Sequence, residues 1–237
     1  MKRCLLICEG PFDELVFSTL KDIFDDSLLE IKPLCRCCAD TPNLKDNVDK
    51  LAYEILSREH GYALEDFDEI CFLIDADGVY TPNESIFENN ELSSTNYKTS
   101  SIECPDKKSL IARNMRRSKN VSELLDGRKY WIFYNSRNLE HAFNESCGGH
   151  LSDKFKKRFA LEIFQYYASN KRDFIEKLYS MNKSNTTNIR ESWNYLQLKC
   201  NSLASSSNMF VFIAMHYSAL KEEYKNIVLE CIKKYRL

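Results

Sequence analysis

Four acidic residues of this chain fall where short apolar runs end. Glu9 closes KRCLLICEG and Asp13 follows four residues later, a spacing that brings both toward one side of the next helix start. Asp75 and Asp77 close DEICFLIDADG, and two residues apart on an extended segment both carboxylates point the same way. Two such charges about 4 Å apart repel by roughly 4 kcal/mol at an effective dielectric of 20, so a cluster of them calls for a cation. With oxygen ligands and no obligatory His or Cys, the expected cation is Mg²⁺ or Mn²⁺, which keeps water and takes a few carboxylates plus substrate phosphate. That chemistry suits cleavage of a phosphodiester.

The elements that must position these acids read as an α/β pattern. CLLIC is a buried strand, FDELVFSTLKDIF an amphipathic helix, LEIKPLCRCC a strand that Pro33 either weakens or places at an edge, NVDKLAYEILSREHG a second helix, and EICFLID a third strand. This alternation predicts a parallel sheet with crossover helices, in which sites form at the carboxyl ends of the strands. A Ser-, Asn-, Lys- and Glu-rich, partly flexible insert is expected over about 79–128, with one short basic helix. YWIFY is a further strand, and SRNLEHAF a helix start with Ser136 or Asn138 at its cap. Helical patterns then dominate: SDKFKKRFALEIFQYYASNKRDFIEKLYSM, NIRESWNYLQLKC and ALKEEYKNIVLECIKKY. MFVFIAMHY fits a strand or a buried helix equally. The expected organisation is a catalytic domain over 1–150 and a mainly helical region over 151–237.

At these acids the sequence resembles the Toprim family, found in type II topoisomerases, primases, maturases and nucleases. ICEGPFDE supplies the strand-acid-glycine element and FLIDADG the Asp-x-Asp element, separated by a βαβ stretch of suitable length; the match covers about the first 80 residues. It implies that Glu9 is the metal-linked acid or general base and that Asp75 and Asp77 hold the metal. Asp13 resembles the second acid of OLD-type nucleases. SRNLEHAF is similar to their later acidic element, which would make Glu140 a further metal ligand and Arg137 a phosphate contact. The late lysine usual in the family is not marked by any motif in this sequence. Small proteins of the OLD, RloB and AriB kinds share this layout, and the resemblance implies an antiphage effector acting on DNA or RNA, tRNA included, beside an ABC-type ATPase. That ATPase would be a separate subunit, because the chain has no Gly-rich Lys-Ser/Thr loop. A homo-oligomer is compatible with the layout.

Composition bounds these readings. The 237 residues suffice for a sizeable core, and no run approaches the roughly 20 apolar residues of a membrane span, so a cytoplasmic protein without membrane attachment is expected. The ten cysteines lack the spacing of a disulfide framework and read as reduced. With a net charge of −2, nucleic-acid contact must be local. The candidates are Arg113, Arg116 and Arg117 in KKSLIARNMRRSK, then KFKKR at 154–158, and both stretches also fit solvated helix faces.

Other chemistries use the same residues. FLIDADGV is similar to the first motif of haloacid-dehalogenase-type phosphatases, with Asp75 as nucleophile, although that motif normally begins a chain and no later Asp pair ends an apolar strand. A catalytically silent Toprim-like binding module would keep the acids as a charged surface. His141 could assist proton transfer, whereas Cys35, Cys37 and Cys38 lack a second paired cluster and Cys147 with His150 is explained by a glycine-rich turn.

Overall fold

The computed structural model describes residues 1–36, 39–56, 62–125, 130–144, 146 and 151–235. β1 (Lys2–Cys8) leads through α1 (Pro11–Phe17) to β2 (Leu29–Cys35), then through α2 (Leu44–Leu56) to β3 (Glu69–Asp75). The insert follows, with β4 (Ile86–Glu88), β5 (Asn96–Tyr97), β6 (Ile102–Cys104) and α3 (Lys107–Leu125), before β7 (Tyr130–Asn135). Six helices complete the described chain: α4 (Leu139–Phe143), α5 (Asp153–Ser169), α6 (Lys171–Met181), α7 (Ile189–Gln197), α8 (Met209–Met215) and α9 (Glu222–Lys234).

The main sheet is parallel throughout, in the order β2-β1-β3-β7. Cys4 to Cys8 and Cys71 to Leu73 are fully buried because these strands lie inside the sheet with helices on both sides. β2 is an edge strand, where Pro33, in register with Leu6, takes no donor from an interior ladder. The chain leaves β1 toward β2 and returns across it to β3. Right-handed crossovers then place α1 on one face and α2 and α3 on the other. Contacts agree, since α1 packs on α5 and α2 on α3. This reversal between β1 and β3 opens a crevice at their carboxyl ends.

The structure alters three expectations. The first helix is shorter: α1 starts on Pro11, whose fixed φ suits a first turn, and gives way at Ser18–Asp22 to a 3-10 turn. The insert is more ordered than its composition suggests. Its three short strands form their own sheet, order β4-β6-β5, over a small core of Ile86, Ile102, Cys104, Leu110 and Leu203, and its basic helix runs for 19 residues. MFVFIAMHY is a buried helix, α8, in which Met209 to Ile213 are all inaccessible.

Candidate acidic site at the sheet's switch point

All four parallel strands deliver a polar side chain to this crevice. Glu9 follows the last residue of β1, the loop after β2 carries Asp40, β3 ends in Asp75, and β7 ends in Asn135. Glu9 Oε2 accepts from the Asp75 backbone N–H at 2.8 Å, which ties the two switch-point strands together. Asn135, fully buried, donates through Nδ2 to Asp13 Oδ1 at 2.9 Å and to Asp75 Oδ1 at 3.3 Å. Asp13 reaches this point because Gly10 has no side chain: a Cβ there would stand 2.8 Å from Asp13 Oδ2.

Asp77 departs from its expected orientation. Its φ of 49° lies in the left-handed region, so β3 has ended and its carboxylate does not share a strand face with that of Asp75. It meets arginines instead. Arg117 Nη1 donates to Asp77 Oδ2 at 3.1 Å, and Arg113 Nη1 lies 3.7 Å from the same oxygen. Gly78 follows with φ 68°, its Cα pressed so close to Leu203 and Ile102 that an added Cβ would meet them at 2.8 and 3.0 Å.

Arg117 is the second departure. It is only 4 % exposed and spends its donors on carboxylates rather than presenting a free cation to solvent. Nη2 reaches Glu9 Oε1 at 3.0 Å and Asp40 Oδ2 at 3.1 Å, Nε reaches Asp40 Oδ1 at 2.9 Å, and Nη1 also donates to the Asp75 carbonyl. Arg113 is partly exposed and donates through Nη2 to the Asp77 carbonyl, Tyr97 Oη and Asn114 Oδ1. Arg116, one residue from Arg117 on the helix, faces solvent. Arg137 is buried, lies 5.0 Å above the Tyr97 ring and donates to His141 Nε2 at 3.2 Å. Burial and the Arg137 charge lower the His141 pKa to about 4, so this imidazole is neutral at physiological pH. Glu140 is 2 % exposed on α4, a helix capped by Asn138, whose side chain accepts from the His141 N–H.

The electrostatics follow from burial. Asp13 is pushed up to about 8, first by desolvation and then by the charges of Glu140 and Glu9. Asp75 rises well above the carboxylate range by desolvation, then by Asp13, Glu9 and Asp77. Desolvation raises Glu9 despite the attraction of Arg117, and it raises Glu140. Asp40 goes the other way, because its hydrogen bonds and charge contact with Arg117 outweigh burial. The carboxyls of Glu9, Asp13, Asp75 and Glu140 are therefore short of positive charge, which is the condition a hard cation relieves.

The donor set of Glu9, Asp13, Asp75, Asp77 and Glu140 is all oxygen and suits Mg²⁺ or Mn²⁺ in kind. No three of these five bring ligand oxygens within 4.8 Å of one another; among the described residues only Cys4, Glu69 and Cys71 do so. That trio lies at the opposite, amino end of the sheet. Its thiols touch at 3.5 Å within the core, and both Glu69 oxygens are already held, by Lys2 Nζ at 3.1 Å and His216 Nε2 at 2.9 Å. Its charge is matched, so it is a packed ion cluster beside two buried thiols. Cys37, Cys38, Cys147 and His150 lie outside the described residues.

Compared with known proteins, the chain finds no match: no family model fits it, and no curated protein or solved structure is significantly similar. No helix among the described residues is long and apolar enough to cross a membrane.

Proposed function

We propose that this chain is a Toprim-like nuclease that hydrolyses nucleic-acid phosphodiester bonds with Mg²⁺ or Mn²⁺. The observation that carries the reading is the convergence of Glu9, Asp13 and Asp75 at the switch point of a parallel sheet, Asp13 buried and the other two partly buried, with their carboxyl pKa values driven upward. Glu9, Asp75 and Asp77 would hold the ion, with Asp13 and Glu140 beside them. Bound there, a hard divalent cation neutralises carboxylates and substrate phosphate at once and makes water a better nucleophile at neutral pH.

The chain's own residues supply the rest. Arg113 stands at the rim beside Asp77 and binds a phosphate oxygen, and Arg116, exposed on the same helix, contacts the neighbouring backbone. Asn135 orients Asp13 and Asp75 from below. Antiphage defence beside a separate ABC-type ATPase is the setting we propose, on the resemblance alone. The phosphatase alternative would use Asp75 as nucleophile; against it stands the βαβα stretch that precedes this residue, since that motif normally begins a chain.

The test is cleavage of DNA and RNA substrates, tRNA included, with Mg²⁺ or Mn²⁺, and a phosphomonoester assay in parallel. Wild type should cut strands only with the divalent ion, and Glu9→Ala should lower the rate by at least about 100-fold. Cleavage that persists in Glu9→Ala removes the reading. Phosphate release that survives Glu9→Ala and is lost in Asp75→Asn replaces it with the phosphatase. Metal binding and intact assembly without either activity would leave a silent Toprim-like module.

A further inference from the structure

We propose that Arg117 is a built-in cation that holds the acidic site shut against a divalent ion, and that its side chain must withdraw before the ion can bind. The inference rests on the nuclease reading for the identity of the ion's ligands and adds a device that controls their occupancy. Its first support is competition for the same oxygens. Arg117 contacts Glu9 Oε1 at 3.0 Å and Asp77 Oδ2 at 3.1 Å, two carboxylates expected to hold the ion, from a position almost wholly removed from solvent. A guanidinium and a divalent cation cannot both sit between them, because their like charges would meet within a few ångströms.

Spacing is the second support. Oxygens sharing one Mg²⁺ at about 2.1 Å must lie close together, yet no three of the five carboxylates come within 4.8 Å of one another. The Arg117 fork stands between Glu9 and Asp77, so the ligand set is held open while the arginine is in place. Asp40 is the third support. It is outside the expected ligand set, its side chain is 39 % exposed, and it grips Arg117 with both oxygens, at 2.9 Å to Nε and 3.1 Å to Nη2. A residue that only fed charge to the metal ligands would have no need of this outer anchor.

The turn of α3 that carries Arg117 is polar and lies between two apolar anchors. Leu110 fixes the start of α3 in the small core of the insert, and Val121 and Leu124 fix its end in the main core. The turn between them is held by polar contacts: Arg113 and Arg117 on the acids, with Asn114 beside them. Binding of the ion and release of Arg117 are thus coupled, and the coupling is reciprocal.

The experiment is Mn²⁺ titration of the full chain, reading free Mn²⁺ by electron paramagnetic resonance, for wild type, Arg117→Gln and Asp40→Asn, with thermal melting to show that each is folded. Asp40→Asn leaves Arg117 paired with Glu9 and Asp77, so it keeps the fold while loosening the anchor. The dissociation constant should tighten by about tenfold in Arg117→Gln and by about fivefold in Asp40→Asn. Equal or weaker binding in both folded variants overturns the proposal and makes Arg117 a residue that positions ligands. If no form binds Mn²⁺, the proposal and the nuclease reading fall together. Tighter binding in both variants without strand cleavage by any form sustains the proposal and removes the nuclease reading alone.

Discussion

Asp13 is held in place by two neighbours, Gly10, which leaves space for Oδ2, and Asn135, which donates to Oδ1. Its carboxyl ionises near 3.8 in the unfolded chain and at about 8 in the folded one. Below the lower value both states are protonated and folding carries no penalty. As pH rises toward 8 the unfolded state ionises while the folded state stays neutral, so stability falls across that window and levels off above it. Asp13→Asn keeps an acceptor for Asn135 and cannot ionise. Its melting temperature should match wild type at pH 4 and exceed it at pH 8 by about 5–10 °C, from a difference of a few kcal/mol, and Mg²⁺ should narrow that gap. Calorimetry across this range checks it; a gap of equal size at both pH values would show that the difference does not come from ionisation of Asp13. The acids themselves were legible because a strand end followed by an acid is a local signal. Asp40 and Asn135 were not, since Asp40 matters only through a guanidinium 77 residues away and Asn135 only through side chains on α1 and β3. The basic run showed where cations lie but not which way they face. Arg113 and Arg117, four apart, turn toward the acids, and Arg116 turns out.

At the scale of elements, the loop between β2 and α2 depends on α3. Asn120 donates through Nδ2 to the carbonyls of Ala39 at 3.0 Å and Thr41 at 2.9 Å, and its Oδ1 accepts from the Leu44 N–H at 3.3 Å. One buried side chain thus satisfies three backbone groups that no ladder reaches, and it places Asp40 within reach of Arg117. Asn120→Ala should destabilise the protein by roughly 3 kcal/mol in urea unfolding. A loss under about 1 kcal/mol would mean that the loop supports itself. The βαβαβ half of the fold could be read directly, because apolar runs and helical spacing are properties of each segment alone. The insert could not. β4 and β6 are three residues each and pair with one another across a polar stretch, so neither has a pattern of its own. α8 hides for the opposite reason: apolar throughout and buried from Met209 to Ile213, it has no polar face to set a period.

Over the whole molecule, the segment after α7 closes the sheet that the first half leaves open. β7 is an edge strand of the parallel sheet, and its outer side is met by residues 206–208: Ser136 N–H donates to the Ser206 carbonyl at 2.8 Å, Asn208 N–H to the Tyr134 carbonyl at 3.1 Å, and Tyr134 N–H to Asn208 Oδ1 at 2.7 Å. Trp193 donates to the Ile132 carbonyl at 2.8 Å and packs on Tyr134, and Phe212 packs on Phe133 at 5.6 Å. The late helices therefore share one core with the sheet, and they also fix Asn135, which touches Asp13 and Asp75. A fragment of residues 1–150 would expose both an unpaired strand edge and the aromatic surface behind it, a combination that favours association between chains. The fragment is expected to aggregate on size-exclusion chromatography and to lack a cooperative thermal transition. A monomeric 1–150 fragment that melts cooperatively would show instead that the sheet is self-sufficient. In that case the late helices would serve the acidic site by placing Asn135, and Asn208→Ala in the full chain would lower activity with little loss of stability.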